Sequence, residues 1–130
     1  MSDYSTTHVL VIDDEPAICA SLSAFLEDYG FQASTAESAE EALDLMKSNP
    51  YDICIVDLRL PGMSGEDLIL QAKERYPNQK HIIYTGSISY NLSDKLKAQG
   101  MRPEHVFLKP IRVLSLLVKC IKELTAEKPA

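Results

Sequence analysis

Acidic residues occur as Asp13-Asp14-Glu15 and again as Asp57, each directly after a run of apolar, β-branched residues. Thr85-Gly86 and Lys109-Pro110 close two further runs of the same kind. If these four run ends meet, three carboxylates, a hydroxyl and an ammonium share one pocket. Three like charges that close repel strongly unless a cation compensates them. Oxygen ligands without His or Cys suit a hard divalent cation. Mg2+ fits, because it takes one or two carboxylates plus a phosphate and keeps several waters. Lys109 adds a point charge suited to phosphate. Thr85 adds a hydroxyl donor, and Gly86 leaves room for its N–H to approach an anion. The set fits phosphoryl transfer onto Asp57, which as nucleophile would form an acyl phosphate. The metal and Lys109 would neutralise the phosphoryl oxygens in the transition state.

Each residue alone has a plainer explanation. A lone Asp at a strand end usually forms a turn or caps a helix. Asp14 and Glu15 can serve a helix dipole, and Glu15 is read that way rather than as a metal ligand. Lys109 alone reads as a solvated charge, and Thr85 as a strand former. Four strand ends with one shared chemistry outweigh these readings.

The chain alternates short apolar runs with amphipathic stretches. Residues 8–13 form a first strand, with four consecutive apolar residues that suit burial on both faces. Pro16 suits the first turn of a helix, which Gly30 ends. Residues 31–34 form a second strand. Ser38 and Glu41 have capping-box spacing and open a second helix, stopped by Asn49-Pro50. Residues 51–57 form a third strand. Ser64, followed by Glu66 and Asp67, caps a third helix running to about residue 76. Residues 81–85 form a fourth strand, 89–99 a helix with a thin apolar stripe, and 104–108 a fifth strand. Val113, Leu117, Val118, Ile121 and Leu124 mark a strong final helix. Five strand–helix repeats predict an α/β fold with a parallel sheet covered on both faces. Ligands of such sheets bind beyond the carboxyl ends of the strands, where Asp13, Asp14, Asp57, Thr85 and Lys109 fall.

The 130 residues suffice for one domain. A composition of 45% hydrophobic and 25% charged residues fits a globular protein. The net charge of -6 argues against direct binding to nucleic acid or an anionic membrane. No apolar run approaches the roughly 20 residues needed to cross a bilayer, and residues 1–7 lack signal-peptide character, so a cytoplasmic location is expected. Cys19, Cys54 and Cys120 lack metal-binding spacing and read as small buried apolar residues.

Val11-Ile12-Asp13-Asp14-Glu15, residues 56–65 around Asp57, Tyr84-Thr85-Gly86 and Leu108-Lys109-Pro110 together resemble the receiver domains of two-component response regulators, including the chemotaxis-regulator type. The resemblance covers nearly the whole chain in the right order. It implies a flavodoxin-like, doubly wound, five-stranded parallel sheet in the order 2-1-3-4-5 with five helices, spanning residues 7–125. Residues 1–6 would be a flexible N-terminus and 126–130 a frayed tail or the start of a linker. It further implies Asp57 as phosphoacceptor and a phosphohistidine of a sensor kinase or phosphotransfer protein as donor. Asp14, Asp57 and the Arg59 carbonyl would ligate Mg2+, with Asp13 acting through a metal-bound water. Thr85 and Lys109 would contact the phosphoryl group, and Lys109-Pro110 would be cis. The chain would be no enzyme beyond assisting its own phosphorylation and dephosphorylation. Downstream it would bind a protein or output domain, or a second copy of itself when phosphorylated, through its last two helices and fifth strand. No output domain follows the final helix, so the chain is expected to be a stand-alone receiver or one domain of a longer regulator.

Two departures stand out. Receivers usually carry an aromatic three residues before the Lys, which swings inward as the Thr moves; here that residue is Val106. Phe107 adjoins it, but strand alternation points it to the other face. The segment 86–105 is also slightly long, and its weakly apolar helix is expected to be mobile and to carry the signal by ordering or shifting. Thr85, Val106 and Phe107 are the candidate switch residues. The resemblance implies that Arg59 and Ser87, two residues past Asp57 and Thr85, line the path of the hydrolytic water. Arg59 fits equally a surface residue that supplies only its carbonyl. A flavin-binding protein of this fold would need a Ser/Thr/Gly-rich phosphate loop after the first strand. An Asp-nucleophile phosphatase would show Asp-x-Asp, and a P-loop enzyme its glycine-rich Lys motif; all are absent. The remaining alternative is a receiver-like interaction module that is never phosphorylated.

Overall fold

A computed structural model describes residues 7–126. The expectations for 1–6 and 127–130 lie outside the described residues. The elements in chain order are β1 (His8–Ile12), α1 (Pro16–Asp28), β2 (Gln32–Ala36), α2 (Ala39–Ser48), β3 (Ile53–Val56), α3 (Gly65–Arg75), β4 (Lys80–Thr85), α4 (Asp94–Ala98), β5 (Val106–Leu108) and α5 (Leu114–Ala126). The strands form one parallel sheet in the order β2-β1-β3-β4-β5. This is the flavodoxin-like order that the resemblance implies.

Strand alternation divides the core into two layers. Leu10, Ile12, Cys54, Val56 and Ile83 face one side and pack with Ala42 and Met46 of α2, Leu68, Ile69 and Ala72 of α3 and Leu96 of α4. Val9, Val11, Ile53, Ile55 and Ile82 face the other, against Leu22 and Leu26 of α1 and Leu117 and Ile121 of α5. Both faces of the central strands are thus buried, which explains their unbroken apolar runs. Cys19, Cys54 and Cys120 are free and buried, as small apolar residues would be.

Helix ends follow the local chemistry. Gly30 has φ 97°, and the Phe31 N–H reaches Leu26 O while the Gly30 N–H reaches Glu27 O, which closes α1 with a Schellman motif. Ser38 accepts from the Glu41 N–H at 3.1 Å, but Glu41 reaches back to the N–H of Glu37 rather than of Ser38. Ser64 caps α3 through the Asp67 N–H.

Several element boundaries differ from the sequence expectation. β2 lies slightly later, at Gln32–Ala36, and β3 stops at Val56, which leaves Asp57 just beyond it. α4 is five residues, Asp94–Ala98, not 89–99. Only Leu92 and Leu96 are apolar and buried there, so too small an apolar face exists to extend the helix, and Ser93 starts it late by accepting from the Leu96 N–H. β5 is Val106–Leu108, not 104–108. Pro103 holds Arg102 extended and begins a 3-10 turn over Pro103–His105 instead of strand. α5 begins at Leu114 and runs through Ala126, one residue beyond the expected domain end.

Candidate functional site: the acidic pocket at the sheet's carboxyl edge

Register sets the site. Ile12 pairs with Val56 and Val56 with Ile83, so the residues that follow β1 and β3 emerge side by side. The Asp57 N–H donates to Ile12 O at 2.9 Å, and the Lys109 N–H to Thr85 O at 2.8 Å. These bonds carry the ladder one residue past the strands and fix the backbone of Asp57 and Lys109.

Three of the strand ends are finished in the same way. Asp13 Oδ1 accepts from the Glu15 N–H at 2.9 Å, Asp57 Oδ1 from the Arg59 N–H at 3.1 Å, and Thr85 Oγ1 from the Ser87 N–H at 3.1 Å. Each is a local side-chain-to-backbone turn two residues long. The turns tie down one oxygen of each carboxylate and leave the other to face inward. Lys109 Nζ meets both inner oxygens, at 2.7 Å from Asp13 Oδ2 and 3.1 Å from Asp57 Oδ2. Only the Asp57 contact has hydrogen-bond geometry, so buried Asp13 Oδ2 is in ionic contact without a hydrogen bond. Glu15 stands at the rim, 4.0 Å from Lys109 Nζ.

Asp13, Asp57 and Thr85 are nearly enclosed, at 1%, 5% and 1% exposure. Asp14 is exposed at the mouth. Burial raises the Asp57 carboxyl above its ordinary range, against the opposing pull of the Arg59 N–H and Lys109. Burial alone would lower the Lys109 ammonium, but its contacts with Asp13 and Asp57 outweigh this and raise it.

One carboxylate oxygen from each of Asp13, Asp14 and Asp57 falls in a group spanning no more than 4.8 Å. All donors are oxygen, one of them buried without a hydrogen bond, and the mouth is open at Asp14. A hard divalent cation fits such a donor set.

The structure therefore brings Asp13, Asp14, Asp57 and Lys109 together. Thr85 reaches the same edge but is engaged with Ser87. Arg59 is exposed, and its backbone turns at Asp57. Lys109-Pro110 is cis. Val106 packs on the α2–α3–α4 layer and Phe107 on the α1–α5 layer, so these two of the three candidate switch residues lie on opposite faces. Sequence reasoning passed over Tyr90 and Glu66. Tyr90 falls in the expected first turn of a helix that starts only at Asp94; the usable signal was that it is the one Phe, Tyr or Trp between Thr85 and Val106.

Fold and site define a doubly wound α/β domain with an acidic pocket at the carboxyl edge of its sheet. The response regulator receiver domain family matches residues 9–121, and the chain belongs to it. It is 30% identical over 111 residues to the cell cycle response regulator CtrA of Brucella ovis, covering 85% of this chain and 47% of that protein. It is 38% identical over 77 residues to the alginate biosynthesis transcriptional regulatory protein AlgB of Pseudomonas syringae pv. tomato, covering 59% of this chain and 17% of that one. The chain thus spans less than half the length of these curated relatives. Among solved structures, the CheY-like receiver domain protein of Methanospirillum hungatei matches with TM-score 0.80 and 28% identity, over 92% of this chain and 94% of that chain. The Thermotoga maritima response regulator TrrA, in complex with Mg2+–BeF, matches with TM-score 0.79 and 28% identity, over 92% and 99%. Among the described residues, no helix is long and apolar enough to cross a membrane.

Proposed function

We propose that the chain is a phosphoacceptor that takes a phosphoryl group from the phosphohistidine of a sensor kinase or phosphotransfer protein onto Asp57, with Mg2+ as cofactor. The reading rests on one observation: Lys109 Nζ lies 2.7 Å from Asp13 Oδ2 and 3.1 Å from Asp57 Oδ2, in a pocket where Asp14 opens to solvent. Asp14, Asp57 and the Arg59 carbonyl would hold the metal directly, and Asp13 through a water. Bound Mg2+ supplies positive charge to the phosphoryl oxygens.

The chain's own residues account for the rest. An oxygen of ionised Asp57 attacks phosphorus, and the P–N bond to the donor imidazole breaks with its electron pair remaining on nitrogen. Asp57 has no proton to lose in this step. Lys109 already faces the attacking oxygen and turns toward the transferred group as charge builds there. Thr85 rotates its hydroxyl from Ser87 toward the same group. The chain is a substrate of its kinase and assists only its own phosphorylation and hydrolysis. A cytoplasmic location, a downstream protein or output domain, and a phosphorylation-dependent homodimer through α4, β5 and α5 belong to the same reading.

The test is the intact mass of the chain after incubation with Mg2+ and a small acyl phosphate or phosphoramidate. The expected result is a gain of one phosphoryl group, lost in Asp57→Asn and lost on chelation. No gain under conditions that modify other receivers would leave a receiver-like interaction module that is never phosphorylated.

A further inference from the structure

The loop between β4 and α4 holds a feature that the phosphoacceptor chemistry does not use. Tyr90 packs its ring against the α2–α3–α4 core layer, the layer that Val106 also packs against. Its hydroxyl is buried and makes no hydrogen bond. Burial first, and then the Glu66 carboxylate of α3, hold the phenol above its ordinary range. A buried polar group without a partner is costly, and a tyrosine hydroxyl usually finds one. This ring is therefore held in place by its packing and by the loop, against the preference of its own hydroxyl.

The loop connects that ring to the site in two steps. Ser87 donates its N–H to Thr85 Oγ1 at 3.1 Å, and Tyr90 donates its N–H to Ser87 O at 3.3 Å. Thr85 is β-branched and almost fully buried, so its χ1 moves between discrete rotamers. Turning the hydroxyl toward Asp57 takes the acceptor away from Ser87. The turn that sets the position of Tyr90 then loses its anchor. α4 beyond it is only five residues long and offers little resistance to a shift.

We propose that Tyr90 is the switch aromatic of this chain: engagement of Thr85 at Asp57 releases the Ser87 turn, and Tyr90 leaves its seat beside Glu66 so that its hydroxyl reaches solvent. The inference rests on Asp57 being the phosphoacceptor and adds the relay from it. Val106 and Phe107 cannot perform this role. Val106 is aliphatic, and Phe107 packs on the opposite face of the sheet. Ile88, in the same loop, is 87% exposed, so movement of Tyr90 changes the apolar surface a partner meets beside the site.

The test uses the full chain, isotopically labelled, with Mg2+ and beryllofluoride as the phosphoryl stand-in. The Tyr90 ring resonances should move to solvent-exposed values together with shifts at Thr85, Ser87 and Lys109. In Tyr90→Ala, the shifts at Thr85 and Lys109 should persist while those at Leu96 and Val106 shrink severalfold. Tyr90→Phe removes the unbonded hydroxyl and should favour the buried ring by about fivefold or more, so a smaller share of the ring is released at saturation. Shifts at Thr85 and Lys109 with an unmoved Tyr90 ring would overturn this inference alone, as would undiminished responses at Leu96 and Val106 in Tyr90→Ala. Absence of shifts at Thr85 and Lys109 would overturn the phosphoacceptor reading and this inference with it.

Discussion

Lys109 Nζ sits 2.7 Å from Asp13 Oδ2 and 3.1 Å from Asp57 Oδ2, two of the three carboxylates grouped closely enough to hold a cation. The ammonium is thus both a countercharge for the acidic group and a competitor for it. Lys109→Met should bind Mg2+ severalfold more tightly, because one positive charge no longer has to be displaced. The same variant should take up phosphoryl from a small donor about tenfold more slowly or worse, since a charge that faces the transferring group is gone. Parallel Mg2+ titrations and mass-resolved phosphorylation time courses measure the two effects. Unchanged Mg2+ affinity would mean that the ammonium moves aside at no cost.

Gly65 lets the start of α3 lie directly against the backbone of Asp57 and Leu58. A Cβ there would collide with the Asp57 carbonyl oxygen and come within 2.9 Å of Leu58 Cα, and backbone cannot give way as a flexible side chain can. Gly65→Ala should cost about 1–3 kcal/mol of stability and slow phosphoryl uptake, because relief of the clash displaces Asp57 itself. Denaturant midpoints and phosphorylation rates should fall together. A stable variant with a normal rate would show that α3 can retreat without taking Asp57 with it.

Much of this was legible in the sequence, and the reasons differ by element. The apolar runs before Asp13 and Asp57 identify their strands because both faces are buried, and parallel topology then forces their ends together. The spacing of Ser38 and Glu41, and of Ser64 and Asp67, is local chemistry, read correctly apart from the shift of the Glu41 bond to Glu37. The region from Gly86 to His105 was misread for the opposite reason. Its two apolar anchors, Leu92 and Leu96, are compatible with a long helix but cannot enforce one. The seat of Tyr90 beside Glu66 depends on a contact between α3 and a loop some two dozen residues later, which no periodicity encodes. The three turns at Asp13, Asp57 and Thr85 were likewise invisible, although their residue types favour them.

Ser93 is the cap of the shortest helix, accepting from the Leu96 N–H at 3.2 Å. A cap contributes about 1 kcal/mol in any helix, but five residues cannot absorb that loss as the ten of α2 can. Ser93→Ala should therefore abolish amide protection across Asp94–Ala98, while Ser38→Ala should leave α2 protected and only lower overall stability. Hydrogen exchange followed residue by residue distinguishes the two. Retained protection in Ser93→Ala would mean that Leu92 and Leu96 alone hold α4.

His81 opens the amino-terminal end of β4, far from the acidic pocket, and is 3% exposed. One ring nitrogen, Nε2, pairs with Gln79 Oε1 at 2.9 Å, and Nδ1 is buried without a hydrogen bond. Burial, and secondarily the Lys73 ammonium, push its pKa from 6.5 down to about 3. The native chain thus keeps the imidazole neutral while the unfolded chain takes up a proton below pH 6.5. The unfolded state binds more protons in that range, so stability rises with pH there. The contribution of His81 is fully present above pH 6.5 and is lost as pH falls from 6.5 toward 3, at up to about 1.4 kcal/mol per pH unit. Urea midpoints measured between pH 7.5 and pH 5 should decline below 6.5, and His81→Gln, which cannot titrate, should remove most of that decline. An equal decline in His81→Gln would mean that His81 does not set the acid sensitivity.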